Sequence, residues 1–173
     1  MSTKGVTMKK LLLIVATSLA LMGCSTNSDS GYSSQDIMFA EMMIPHHQQA
    51  IEMSDLALKN SQDPEVLKLA QQIKDAQAPE IEEMKSWGAS SDAHMGHMMD
   101  GMLSEDEMAD LKMATGPQFD RLFLEGMIKH HEGAIDMAEM VIDSKKADVA
   151  ALAKAIIEAQ RTEISTMKEL LNR

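Results

Sequence analysis

The sequence predicts an all-α protein: an antiparallel four-helix bundle built from two copies of a helical hairpin. Three observations carry that expectation. Residues 36–58 align with 120–142 at ten identical positions of 23, and residues 64–85 align with 147–168 at ten of 22. Within each copy, apolar and histidine residues recur in alternating steps of four and three, the spacing of a helical seam. The second alignment is one residue out of step with the first, and the slip falls where a loop would join two elements. Short links of this kind join neighbouring helices that run in opposite directions.

The first element shows the seam Phe39, Met43, His46, Ala50, Met53 and Ala57. Asn60-Ser61-Gln62-Asp63-Pro64 then reads as a turn, with Pro64 suited to a first helical position. The second element shows Val66, Leu69, Ile73, Ala76 and Glu80. Pro45 and Pro79 fall inside these two helices and are expected to kink or split them. The third element repeats the first seam through Phe123, Met127, His130, Ala134, Met137 and Val141, with Lys129 in place of the proline. The fourth repeats the second, with Thr162 in place of Pro79. Repeat one thus spans 36–85 and repeat two 119–171, inside a helical unit of 36–173.

An insert over 86–118 separates the repeats. It holds His94-Met95-Gly96-His97-Met98-Met99-Asp100-Gly101-Met102, whose glycines argue against regular helix. Ser104 with Glu107 forms a capping box that opens a short helix to about Ala114, and Pro117 suits the start of the third bundle helix.

Residues 1–23 read as an export signal. Lys4, Lys9 and Lys10 precede a short apolar run from Leu11 to Met22. Leu21-Met22-Gly23-Cys24 resembles a bacterial lipobox, which implies cleavage before Cys24 and lipid on its thiol. Cys24 is the chain's one cysteine, so no disulfide forms within it. Residues 24–35 are Ser-rich and polar and read as a flexible tether. The expected location is the cell envelope, as an exported lipoprotein on a membrane.

Composition narrows the chemistry. A formal net charge of −11 carries no basic nucleic-acid footprint. Aromatic residues are only 3% while methionines number 18, which replaces rigid rings with soft thioethers. The sequence shows no nucleophile-and-base constellation, no phosphate loop and no fingerprint of an organic cofactor. The stretches Met43-Ile44-Pro45-His46-His47 and Met127-Ile128-Lys129-His130-His131 are its strongest chemical signal, each followed by a further methionine, Met53 or Met137. Met43, Met53, Met127 and Met137 taken alone read as core. Adjacent histidine pairs at equivalent places in a duplication point further, to metal ligation. Thioether sulfur and imidazole together suit copper(I) and silver(I). His94, Met95, His97, Met98, Met99 and Met102 make a second candidate set in the insert. Glu41, Glu125, Glu80 and Glu163 read most simply as solvated or capping charges.

The paired motifs MIPHHQQAIEMS and MIKHHEGAIDMAE, with HMGHMM between them, resemble domain-of-unknown-function family 305 over about residues 35–171. The resemblance implies a ferritin-like bundle, and it implies association of some exported members with copper or silver. The expected function is a non-enzymatic, membrane-tethered protein that sequesters copper(I) or silver(I) or passes it to a protein partner. One rival is a di-metal oxidase, since such bundles can hold two irons through Glu and Glu-x-x-His ligands. No Glu-x-x-His stands at the repeated positions, which counts against it. The other rival is a structural or partner-binding module with a Met-rich groove.

Overall fold

The computed structural model describes residues 31–90 and 100–173. The export signal, Cys24, most of the tether and the insert residues His94, Met95, His97, Met98 and Met99 lie outside the described residues. Among the described residues the protein is all-α, with helices α1 (Ser34–Asn60), α2 (Pro64–Ser86), α3 (Glu105–Met113), α4 (Gly116–Glu139) and α5 (Ala147–Leu171). No helix among them is long and apolar enough to cross a membrane.

Local chemistry sets most of the ends. Ser33 and Asp36 form a capping box at the start of α1, and Ser104 and Glu107 do the same for α3. The Asp63 carboxylate accepts from the backbone N–H groups of Glu65 and Val66, and Pro64 opens α2. Pro117 lies in the first turn of α4. Neither Pro45 nor Pro79 splits its helix: α1 and α2 run through both. Pro79 lies on an exposed face, where water can satisfy the carbonyl that its ring leaves unpaired.

Packing then assembles the helices around one core. α1 packs along α2 and α4, α4 along α5, and α2 against α5. Asp55 pairs with Lys74 at 2.5 Å and His47 with Glu80 at 2.8 Å, so contacts recede along α2 as they advance along α1. The expected seam residues of α1 and their counterparts from Phe123 to Val141 are all buried. The seam expected for α2 needs one correction. Ala76 is exposed and Gln77 is buried in its place, as Gln160 is on α5. From Ile73 the buried stripe takes a step of four, which a straight helix of 3.6 residues per turn requires periodically.

The tether is also shorter than expected. Tyr32 stacks on buried Trp87 with ring centroids 5.6 Å apart, and its hydroxyl donates to Asp148 at 2.5 Å. Residues 32–35 therefore belong to the helical unit, held to the bundle end by the Tyr32 ring, the capping Ser33 and a Gln35 amide that donates to the Met140 carbonyl at 2.7 Å.

Candidate metal centre

The two histidine pairs meet inside the bundle. His46, His47, His130 and His131 are all fully buried. The seam positions His46 and His130 face each other across α1 and α4, their rings 3.7 Å apart and tilted by 40°. Their neighbours point away, as the 100° step between adjacent helical residues requires. His47 reaches Glu80 on α2 at 2.8 Å, and His131 reaches Glu163 on α5 at 2.7 Å. Each glutamate is largely buried, with 18% of its side chain exposed. Glu80 and Glu163 are thus hydrogen-bond partners of the buried histidines and not simply solvated charges.

All four histidines use the same ring nitrogen for these contacts. His46 Nε2 donates to the Asp100 carbonyl at 3.2 Å, and His130 Nε2 donates to the His46 carbonyl at 2.9 Å. A carbonyl only accepts, so the proton of each neutral ring sits on Nε2 and leaves Nδ1 with a lone pair. A carboxylate imposes the same choice on His47 and His131. The Nδ1 atom of every one of the four rings is buried and has no hydrogen-bond partner among the described residues.

The electrostatics keep the central pair neutral. Burial, reinforced by neighbouring His47, pushes the His46 imidazole down to about 3. Burial and the facing His46 ring hold His130 well below the ordinary histidine range. A neutral imidazole is the form that binds metal, so these rings need shed no proton to do so.

The thioethers lie close in sequence and deep in the core. Met43, Met53 and Met127 are fully buried and Met137 is 6% exposed. Met43 and Met127 each sit three residues before a central histidine, on the same helical face. Met102 is half-buried and is the one member of the insert's candidate set, His94 to Met102, among the described residues. No three His, Cys, Asp or Glu side chains among the described residues form a ready metal cage. Imidazole nitrogen and thioether sulfur are the donors that suit a soft ion.

Some participants carried no obvious mark in the sequence. Gln49 grips the foot of the insert: its amide donates to the Leu103 carbonyl at 2.9 Å and accepts from the Leu103 N–H at 2.8 Å. Gly101 and Gly133 bring that foot into backbone contact with α4. The available signal was divergence between the repeats, since Gln49 and Gly133 occupy equivalent positions.

Comparison with known proteins agrees with this picture. The sequence model of the family described as "Domain of unknown function (DUF305)" matches residues 36–171. The crystal structure of a DUF305 fragment from Deinococcus radiodurans is 33% identical, with a TM-score of 0.74 over 82% of this chain and 98% of that one. A DUF305 protein from Streptomyces coelicolor is also 33% identical, with a TM-score of 0.74 over 80% of this chain and 93% of its own. CopM in its copper(II)-bound form is 35% identical, with a TM-score of 0.69 over 79% of this chain and 95% of its own. CopM is also known in copper(I)-bound and silver-bound forms. No functionally curated relative matches the chain.

Proposed function

The chain belongs to the DUF305 family, and from that premise we propose that it is a metal-binding protein of the cell envelope that sequesters copper(I) or silver(I) or hands it on. The observation that carries this reading is the set of four buried Nδ1 lone pairs without a partner among the described residues. Leaving a buried polar atom unpaired costs free energy, and four such imidazole nitrogens at equivalent places in the two repeats support a ligand there. The binding of copper and silver by the related CopM supports the choice of ion.

In this reading the bundle is ferritin-like and antiparallel, two hairpins related by the sequence repeat. His46, His47, His130 and His131 anchor the ion in the core, with Met43, Met53, Met127 and Met137 as soft partners. His94, Met95, His97, Met98, Met99 and Met102 capture the ion at the surface. The protein acts without turnover: the Glu80 and Glu163 carboxylates that a di-metal oxidase would use are already held by His47 and His131. Lipid on Cys24 tethers it to the membrane.

Competitive copper(I) titration of the purified protein against a calibrated chelator tests the core site. Replacing His46 and His130 together with Gln should lower copper capacity while helical circular dichroism persists. Gln supplies volume and hydrogen bonds but no equivalent lone pair. Unchanged binding in that variant would make the pairs structural and leave the insert as the sole site. The tether is tested by Cys24→Ser, which should abolish fatty-acid labelling and release the protein from membranes. A wild-type protein without lipid label would contradict it.

A further inference from the structure

The central histidines are held by backbone, whereas the outer ones are held by carboxylates. That backbone acceptor exists only because the foot of the insert lies against α4. Asp100 presents its carbonyl to His46 at 3.2 Å. A side-chain carbon on Gly133 would stand 2.2 Å from the Asp100 oxygen and 2.6 Å from its carbonyl carbon. One on Gly101 would stand 2.7 Å from the Lys129 carbonyl oxygen, and Gly101 has φ +83°. Both clashes are with backbone, which has no rotamer to yield. From the opposite side, Gln49 holds Leu103 by two hydrogen bonds of 2.9 and 2.8 Å. Equivalent positions of the two repeats have therefore taken complementary parts: Gly133 makes room for the foot, and Gln49 fastens it.

We propose that Gln49, Gly101 and Gly133 are positioning residues of the metal centre, seating the Asp100 carbonyl so that His46 carries its proton on Nε2 and keeps Nδ1 open for the ion. Partners behind a metal-binding imidazole commonly set its tautomer and ring angle, and their loss typically costs 10- to 100-fold in affinity. The effect is confined to His46, because His130 takes its own acceptor from the His46 backbone at 2.9 Å. The role in binding rests on the metal-binding reading above. The control of the tautomer stands apart from it.

The experiment separates the two. Ring-nitrogen NMR on the metal-free, full-length protein reports which nitrogen of His46 is protonated, and silver(I) titration then reports affinity. Gly133→Ala should shift His46 to a mixture of tautomers while His47 and His131 keep theirs. Silver(I) affinity should fall about 10- to 100-fold with helical content intact. Gln49→Ala should act in the same direction and more weakly. Asp136→Ala, an exposed change further along α4, should alter neither reading. Wild-type tautomer and affinity in Gly133→Ala overturn the proposal, and so does an affinity loss with the His46 tautomer unchanged. If Gly133→Ala does not fold, Gln49→Ala decides by the same two readings. If the wild-type protein binds no silver(I) or copper(I), the functional reading fails, and the metal-free tautomers still decide whether the foot positions His46.

Discussion

His47 meets Glu80 at 2.8 Å and His131 meets Glu163 at 2.7 Å, contacts that map one repeat onto the other. The inner histidines break that correspondence. His46 donates to the foot of the insert, while His130 donates to the backbone of His46. The duplication supplied four buried imidazoles, two facing each other and two turned toward glutamates, and the foot of the insert meets only His46 of the facing pair. The difference teaches that one requirement, an occupied Nε2 and an open Nδ1, is met in two ways. Where a carboxylate on a neighbouring helix reaches the ring, the repeat serves both copies alike. Where none does, a backbone carbonyl serves instead: that of Asp100 in the insert for His46, and that of His46 for His130.

The largest test of this equivalence is in the core. Met43 and Met127 are counterparts and both fully buried. Met43→Ala and Met127→Ala should each cost about 2–5 kcal/mol in urea unfolding. Met→Leu at the same sites should cost less than about 1.5 kcal/mol. Leu preserves the packing and removes the sulfur, so a fall in silver affinity in the Leu variants identifies a ligand. A marked inequality between Met43 and Met127 would show that the insert has made the repeats energetically distinct.

The outer pairs come next. Glu80→Ala and Glu163→Ala each leave a buried histidine donor without its acceptor. Each should lower stability by about 1–3 kcal/mol, by similar amounts. Chemical denaturation of the two variants checks the match, and a loss confined to one repeat would break it.

Acidity probes the inner pair. His46 and His130 are neutral in the folded protein, with affinity for protons far below that of an unfolded histidine. Between the unfolded value, about 6.5, and the folded value of His46, about 3, the unfolded chain binds more protons. Their contribution to stability is therefore complete above that window and declines as pH falls through it. Each ring contributes a slope of up to about 1.4 kcal/mol per pH unit. Denaturation midpoints across that range should show the decline, and replacing both histidines with Gln should remove that part of it.

The smallest effect is at the surface. Asp55 pairs with Lys74 in repeat one, and its counterpart Glu139 pairs with Arg161 in repeat two. Both pairs are exposed, so Lys74→Ala and Arg161→Ala should each change stability by less than about 1 kcal/mol. A larger change in thermal unfolding would indicate that these pairs contribute to holding each hairpin together.

Much of the bundle could be read from periodicity. The seams of α1 and α4 follow the alternating spacing residue by residue, and the capping box of α3 stands in the sequence as Ser104 with Glu107, whereas that of α1, Ser33 with Asp36, begins in the stretch read as tether. On α2 the pattern misled, because apolar Ala76 looks more like core than Gln77, yet helical geometry turns Gln77 inward. The histidine pairs were visible because they are duplicated. Their glutamate partners were harder to assign, since Glu80 and Glu163 lie more than thirty residues away and local charge rules favour solvent. Gly133 gave no local signal either: a glycine within a helix explains itself only when another backbone is found against it.

The account turns on whether the four open nitrogens hold metal. Long-range proton–nitrogen NMR of the histidine rings during silver(I) titration reads this directly. The predicted result is movement of the His46 and His130 Nδ1 signals with bound silver, while both Nε2 atoms keep their protons. Silver that binds tightly and shifts only methionine methyl signals, with all four Nδ1 atoms unmoved, would contradict it.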